Sequence, residues 1–303
     1  MPRRTASPRS SKPRTKSKPS TKSKTRAKSK SYKKGWRTAA TSDRHELYEL
    51  SVQEPTAECN FVDRVYKERR GKLPTTLRED FCGTGFASTT FVKRRAGTKA
   101  YGVDLCQETM DWGKKKHFPA LTAEQRKRVQ LIRGDVLKAT TPPADVLVAL
   151  NFSYFIWKTR EQLVAYFRAA FRNIAPGGLI VLDAYGGYES FSLQEETRNL
   201  DGFIYAWETS KYNPINGDVL NHIHFRFPDG TELKRAFTYD WRLWTLAEIQ
   251  EALVDAGFVR PAVYWEGTQA NGDGDGVFRR KAVGEACAGW IAYVLAEKPA
   301  RAK

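Results

Sequence analysis

The sequence predicts an α/β protein built on a doubly wound, mostly parallel sheet. Short runs rich in Val, Leu and Ile alternate with helical segments, a glycine turn follows the first run, and only one region departs from this alternation. Parallel strands are buried on both faces, so they read as continuous apolar runs. The predicted strands are Thr76–Leu77, Ala100–Val103, Val129–Ile132, Asp145–Leu150, Leu179–Asp183, Ala262–Trp265 and Trp290–Leu295.

The segments between these strands carry helix signals. Helices are predicted at Gly85–Arg95, Gln107–His117, Thr159–Asn173 and Leu246–Ala256. After the fifth strand the period switches to two, with turn signals at Asn216-Gly217 and Asp229-Gly230. We therefore predict a small antiparallel β insertion at about residues 200–241, lying as a lid on the sheet.

The basic residues are concentrated at the N-terminus. The net charge is +17, but 15 of the 51 Lys and Arg lie between Arg3 and Arg37, before the first acidic residue, Asp43. The rest of the chain is nearly balanced, with 36 basic and 34 acidic residues. Residues 1–42 have almost nothing apolar to bury, which predicts a disordered basic tail. Such a tail is typical either of an arm that binds DNA or RNA or of a solubilising extension.

Two helices are predicted between the tail and the main domain. Residues 43–75 space their apolar side chains by three and four, with a break at Pro55, and are expected to cover the main domain at residues 76–298. The four cysteines are far apart, so neither a zinc site nor a disulfide framework is indicated. The chain has no long apolar run and no secretory signal, which predicts an intracellular, cytoplasmic protein without membrane partners. Association with the nucleoid or nucleus is the alternative that the tail allows.

The glycine turn Cys82–Gly85 is shared by several classes of nucleotide-binding protein. A phosphate-loop ATPase needs Lys and then Ser or Thr after the last glycine, and the chain lacks them. A dinucleotide dehydrogenase needs a third glycine, where Phe86–Ser88 stands, and an acid about twenty residues later, which Asp104 supplies. Spacing alone leaves that alternative open. The acid that distinguishes the classes is Asp135, at the end of the third strand.

With this acid, the chain resembles the class I S-adenosylmethionine-dependent methyltransferase family from Thr76 to Lys298. Five ordered segments carry the resemblance: Glu79 with Cys82–Gly85, Gly102–Leu105, Gly134–Val136, Leu150–Asn151 and Ala175–Asp183. It implies a Rossmann-like seven-stranded sheet with an antiparallel last strand, methyl transfer as the activity and S-adenosyl-L-methionine as the cofactor. The cofactor-binding residues that it implies are Glu79, Phe81, Gly83, Gly85, Asp104, Leu105, Asp135, Val136 and Asn151.

The resemblance also assigns roles to these residues. Asp104 is expected to hold the ribose hydroxyls and Asp135 the adenine amino group, while the glycine turn approaches the methionine end of the cofactor. The chemistry agrees, because carboxylates accept hydrogen bonds from hydroxyls. One departure is Phe81, which stands where the family usually has glycine, so its contact with the cofactor is less secure than that of Gly83.

The methyl acceptor is predicted to be a nitrogen or oxygen of a small molecule, because the aromatic insertion is similar to the lids of small-molecule methyltransferases. Tyr185, directly after the fifth strand, is the first catalytic candidate, since aromatic walls attract amines whose product is charged. The segment Asn151–Phe155 resembles the Asn/Asp-Pro-Pro-Tyr motif of amino-methylating DNA enzymes without its prolines. Tyr154 is therefore a second candidate, with packing as its alternative role, and a nucleic-acid substrate delivered by the basic tail is the alternative function.

His222, His224 and Arg226 share one face of a predicted period-two strand. If this face points into the cleft, His224 could take a proton from the acceptor near neutral pH. If it points to solvent, the histidines have no such role. No metal site is predicted, and Asn271–Gly276 is interpreted as a flexible acidic turn because it lacks the final glutamate of a calcium loop.

Overall fold

The computed structural model describes residues 37–269 and 274–300. Most of the predicted disordered tail, residues 1–36, lies outside these ranges, so that prediction and the boundary at residue 42 remain predictions. The helices are α1 (Arg44–Val52), α2 (Pro55–Arg70), α3 (Phe86–Arg94), α4 (Gln107–His117), α5 (Ala123–Arg126), α6 (Arg160–Asn173) and α7 (Leu246–Asp255). The strands are β1 (Thr76–Asp80), β2 (Lys99–Asp104), β3 (Val129–Arg133), β4 (Ala144–Ala149), β5 (Ile174–Gly186), β6 (Gln194–Leu200), β7 (Phe203–Tyr212), β8 (Asp218–Arg226), β9 (Glu232–Arg242), β10 (Val259–Thr268), β11 (Gly274–Lys281) and β12 (Trp290–Glu297).

The large sheet has the strand order β11-β10-β12-β5-β4-β1-β2-β3. Strands β1 to β5 pair in parallel, and Glu79 of β1 lies opposite Gly102 of β2 and Val148 of β4. Strand β12 runs antiparallel to β5, and β10 runs antiparallel to β12. The predicted doubly wound sheet with an antiparallel last strand is therefore confirmed. Its parallel strands direct their carboxyl ends to one edge, where such folds bind ligands.

The predicted number of strands is wrong by one, because the described part of this sheet contains eight. The additional strand is β11, which pairs antiparallel with β10 at the edge of the sheet. Its first residues fall in the segment that we interpreted as a flexible turn. The pattern did not reveal this strand because β11 is rich in glycine and charge, and one large ring, Phe278, anchors it against Phe61 and Tyr293.

Helices cover both faces of the large sheet, as the continuous apolar strands predict. One face packs against α6 and α7 through side chains such as Phe167 and Leu253, and the other packs against α2 and α3 through Val65 and Phe91. All four side chains are fully inaccessible to solvent. In the part of the chain that the structure describes, no helix has the length and apolarity needed to cross a membrane.

The antiparallel insertion forms a separate sheet with the order β6-β7-β8-β9. It spans residues 194–242, slightly more than predicted, because β6 was not recognised from its polar sequence. The N-terminal helix α1 packs onto this sheet, and Leu47 is buried beside Phe203, Ile223 and Phe225. The predicted helices before the main domain are thus present, and α1 joins the insertion to the edge of the large sheet.

Candidate active site

The glycine turn connects β1 to α3. The N–H of Gly85 donates to the carbonyl oxygen of Cys82 at 2.7 Å, and Gly83 and Gly85 both have positive φ, +52° and +70°. Helix α4 presses against the turn, because a Cβ on Gly113 would lie 1.9 Å from the carbonyl oxygen of Thr84. The turn therefore needs glycine both in its own backbone and in the helix beside it.

Phe81 occupies a backbone conformation that favours glycine. Its φ is +58°, in the left-handed region, which costs a residue with a Cβ about 1–2 kcal/mol. The ring packs on Tyr166, with the ring centroids 5.5 Å apart. The side chain of Phe81 thus packs on the α6 face of the sheet, while its backbone has the left-handed conformation that glycine adopts most readily.

Glu79 lies buried beneath the turn. Its Oε2 accepts hydrogen bonds from the N–H and Oγ of Ser88 at 2.8 and 2.6 Å, which ties β1 to the first turn of α3. Burial raises the pKa of Glu79 to about 7, and the nearby carboxylates of Asp104 and Asp80 act in the same direction, although the bonds from Ser88 oppose them. A cation that binds at this edge of the sheet would stabilise the charged form of Glu79.

Asp104, at the end of β2, lies directly beside the glycine turn. Its Oδ2 accepts from the N–H of Gly83 at 2.8 Å, and its Oδ1 accepts from the N–H of Cys106 at 2.8 Å. The structure thus brings together two predicted cofactor residues that are distant in sequence. The neighbouring Leu105 is exposed.

Asp135 follows β3 at the same edge of the sheet. Its Oδ1 accepts from the N–H of Leu137 at 2.9 Å. The next residue, Val136, is buried and belongs to the hydrophobic core on the face of the sheet that α6 covers. The carboxylates of Asp104 and Asp135 therefore end adjacent strands, as the predicted cofactor site requires.

Asp183 shapes the loop after β4, and the sequence analysis did not select it. Its two carboxylate oxygens accept from the N–H groups of Asn151 and Phe152, at 2.7 and 2.9 Å. Both of those residues have positive φ, 56° and 57°, so the carboxylate stabilises a strained loop. Burial raises the pKa of Asp183 to about 7 despite these hydrogen bonds. The sequence signal that could have identified Asp183 was its position at the end of a predicted buried strand.

A cavity of about 890 Å³ opens beside this loop. It lies between α1, α2, the ends of β4 and β5, the inner face of the small sheet and the β10–β12 edge of the large sheet. Its wall is strongly aromatic, and the rings that line it are Tyr48, Phe152, Tyr185, Tyr205, Trp207, Tyr239, Trp241, Phe278, Trp290 and Tyr293.

The charged side chains of this cavity are almost all acidic. The described residues with a carboxyl group in its wall are Glu54, Glu58, Asp183, Glu189, Glu196 and Glu266. Among the described lining residues, Arg198 is the one cation. Its guanidinium donates to the carbonyl oxygen of Ser51 at 2.7 Å and lies 4.8 Å from the ring of Tyr205. The cavity therefore favours a cationic ligand over an anionic one.

Tyr185 lines the cavity, where its predicted role requires it to be. The side-chain amide Nδ2 of Asn221 donates to the hydroxyl oxygen of Tyr185 at 3.2 Å, and the ring of Tyr185 packs 4.8 Å from Phe152 and 5.6 Å from Phe155. Burial raises the pKa of Tyr185 above its ordinary value, so the phenol is neutral at physiological pH. The residue presents a ring and a hydroxyl group rather than a charge.

The structure does not place the other two catalytic candidates in the cavity wall. Tyr154 is fully buried, and its hydroxyl donates to the carbonyl oxygen of Asp183 at 2.8 Å, so it packs in the core. His224 lies on the opposite face of β8 from Ile223, which lines the cavity. Its Nε2 forms a hydrogen bond with Oε2 of Glu208 at 2.9 Å, and its Nδ1 accepts from the backbone N–H of Arg235 at 3.2 Å, so both ring nitrogens form hydrogen bonds.

Comparisons with known proteins agree with this architecture. Residues 80–182 match the family model described as a methyltransferase domain, and no curated protein matches the chain. Three solved structures share its fold. An S-adenosylmethionine-dependent methyltransferase from Clostridium acetobutylicum has 16% identity and a TM-score of 0.62, covering 84% of this chain and 97% of that chain. The S-adenosylmethionine-bound amino pentose methyltransferase CalS10 from Micromonospora echinaspora has 17% identity and a TM-score of 0.60, covering 84% and 95%. The sugar N-methyltransferase KedS8 from Streptoalloteichus sp. has 19% identity and a TM-score of 0.58, covering 85% and 93%.

The fold is a Rossmann-like sheet with an antiparallel last strand and a glycine turn after β1, and the matched domain contains the central part of this sheet. Residues 80–182 therefore match a methyltransferase domain, and the chain has the fold of S-adenosylmethionine-dependent methyltransferases. None of the comparisons named above supports the alternative of a nucleic-acid substrate.

Proposed function

We propose that this enzyme transfers the methyl group of S-adenosylmethionine to an amino nitrogen of a small molecule. The observation that carries this proposal is the composition of the cavity wall, which combines aromatic rings with carboxyl groups and has one engaged guanidinium. Aromatic faces and carboxylates both attract an ammonium group and the methylammonium product. The volume of about 890 Å³ lies within the range of small-molecule sites. Two of the similar structures are described as sugar methyltransferases, one of them acting on nitrogen.

The residues at the edge of the sheet are suited to hold the cofactor. We propose that the glycine turn receives its amino acid portion, because Gly83 and Gly85 leave the backbone open for close approach. Asp104 and Asp135 would accept hydrogen bonds from the ribose and the adenine amino group. When bound, the cofactor supplies a methyl carbon activated by a positively charged sulfur. Asn151 and Tyr185 both line the cavity, and Tyr185 would face an acceptor bound there.

Matched pairs of acceptors test the proposal. The purified chain is incubated with labelled S-adenosylmethionine and either glucosamine or glucose, and either 2-phenylethylamine or 2-phenylethanol. We expect label in the amine of each pair and not in the alcohol. Label in the alcohols alone would identify an oxygen methyltransferase and contradict the proposal.

A further inference from the structure

We propose that Glu58 is the residue that takes the proton from the acceptor amine. This inference rests on the proposed function, because it concerns an amine bound in the same cavity. Glu58 lies in the first turns of α2 and lines the cavity wall. Sequence analysis did not select it, since α2 precedes every motif of the methyltransferase resemblance.

Glu58 differs from Asp183 in having its carboxyl group available. Both oxygens of Asp183 are occupied by backbone N–H groups, so that residue holds the loop after β4. Among the described residues, no side chain forms a hydrogen bond or ion pair with Glu58 that would hold its carboxyl in place. A backbone hydrogen bond from Glu54 is the main interaction that favours its charged form.

Glu58 interacts with acids of both the cavity wall and the strand beneath the glycine turn. The carboxyl groups of Asp183 on β5 and Glu79 on β1 both repel the charge of Glu58, and Asp183 lines the same cavity as Glu58. The other ionisable groups near it are Glu54 on α2, Tyr48 on α1, Tyr293 on β12 and the adjacent Cys59. Burial, followed by these neighbouring acids, raises the pKa of Glu58 to about 8.

A carboxyl group with this pKa matches the task of deprotonating an ammonium. A primary ammonium must lose a proton before its nitrogen can attack, and a base works best when its pKa is near the operating pH. The N–H bond of the ammonium breaks and an O–H bond forms on Glu58, which leaves a neutral amine with its lone pair. The nitrogen then forms the new N–C bond as the C–S bond breaks, and the C–S electron pair stays on sulfur. Glu58 later returns its proton to solvent.

The test compares wild type with Glu58→Gln, which keeps the size of the side chain and cannot take the proton. With glucosamine and 2-phenylethylamine we expect kcat/KM at pH 7 to fall by about 100-fold or more. The loss should shrink as the pH rises above the pKa of the amine, because solvent then supplies the neutral form. The matched control is Glu68→Gln, an exposed change on the same helix, which should leave kcat/KM and its pH profile unchanged.

A second measurement needs no turnover. Because the raised pKa of Glu58 penalises its ionisation in the folded protein, Glu58→Gln should unfold at a higher temperature than wild type at pH 8.5, by about 3 °C, and at the same temperature near pH 5. Equal amine kinetics for wild type and Glu58→Gln at pH 7 would overturn the role of Glu58 and leave the proposed function intact. Methylation of the alcohols alone would overturn both.

Discussion

Phe81 shows how a single side chain can replace the glycine of a family turn. Its left-handed backbone carries a conformational cost, while its ring packs on Tyr166 in the core of the α6 face. The packing of a largely buried ring is worth about 1.5–3 kcal/mol, which exceeds that cost. The turn therefore tolerates phenylalanine because the fold stabilises the ring from outside the turn.

This balance predicts the order of two variants. Phe81→Ala and Phe81→Gly both lose the ring, but only glycine relieves the left-handed backbone, so Phe81→Gly should be the more stable of the two by about 1 kcal/mol. Both should be less stable than wild type. Urea unfolding measures the three free energies of unfolding. Equal values for the two variants would show that the backbone of Phe81 stores no strain.

Asp104 gives the sharpest test of the cofactor site. Asp104→Ala removes the carboxylate that faces the glycine turn and the proposed ribose position, and isothermal titration should show that S-adenosylmethionine binding is lost. Asp111→Ala is the control, since Asp111 lies on the exposed side of α4 and should leave the affinity unchanged. Wild-type protein without measurable binding would contradict the assignment of the cofactor.

At the scale of elements, α1 is held on the glycine turn by one buried carboxylate. Oε1 of Glu49 accepts from Oγ1 of Thr84 at 2.6 Å and lies 2.7 Å from Nε2 of His117 at the end of α4. The ring of His117 stacks on Phe86 at 4.4 Å, at the start of α3. Helices α1, α3 and α4 therefore meet at the turn, and α1 also carries Tyr48 into the wall of the cavity.

Removing this carboxylate should loosen the contact of α1 with the turn. Glu49→Ala leaves two buried polar groups without their partner, which costs about 1–3 kcal/mol of unfolding free energy. We expect the affinity for S-adenosylmethionine to fall as well, because Thr84 belongs to the turn. Glu46→Ala on the exposed side of α1 should cost less than about 1 kcal/mol. Thermal unfolding and calorimetry measure the two effects, and equal costs for the variants would argue against a buried link.

At the scale of the whole molecule, the acids with raised pKa values make the free energy of unfolding depend on pH. The folded-state pKa values of Glu58, Glu79 and Asp183 are about 8, 7 and 7, all above their ordinary values. Between the ordinary and the raised pKa the folded protein binds more protons than the unfolded chain, so stability falls as the pH rises through this window. Asp145 and Glu297 act oppositely. Their pKa values are lowered, so their carboxylates stabilise the folded protein, and this contribution is lost only in strong acid.

The protein without cofactor should therefore unfold at a higher temperature near pH 6 than near pH 8.5. Differential scanning fluorimetry across this range measures how steeply the unfolding temperature falls with pH. The slope should be shallower for Glu58→Gln, which lacks one of the three groups. An unfolding temperature that is constant from pH 6 to 8.5 would show that these acids are not protonated in the folded protein.

The edge of the sheet that carries the proposed cofactor residues could be predicted because its geometry depends on local sequence patterns. Apolar runs mark buried parallel strands, and each strand carries its terminal acid to the same edge, so Asp104 and Asp135 could be placed without any tertiary information. Tyr185 was selected because it comes after the predicted fifth strand, and the structure extends β5 through it to Gly186. The glycine turn is also local, since a positive φ at Gly83 and Gly85 is a property of the backbone itself.

The acceptor side could not be predicted in this way, because it forms between elements distant in sequence. A period-two pattern defines the two faces of β8 but not which one faces the cavity, so the sequence left the orientation of His224 open, and the structure places Ile223 rather than His224 in the cavity wall. Tyr154 lies next to the right loop, yet its side chain turns into the core. Glu58 and Asp183 come together in one cavity wall only in the folded chain, because α2 and β5 are distant in sequence.

The sequence by itself thus determined the doubly wound fold and the position of Asp104 and Asp135 at the carboxyl ends of β2 and β3. The tertiary structure alone decided the strand order with its eighth strand, the inward face of the small sheet and the acidic, aromatic cavity. The physical reason is that strand patterns and turn conformations are set by neighbouring residues. Burial of a charge and the shape of a cavity depend on side chains that the chain brings together from α1, α2 and four regions of the two sheets.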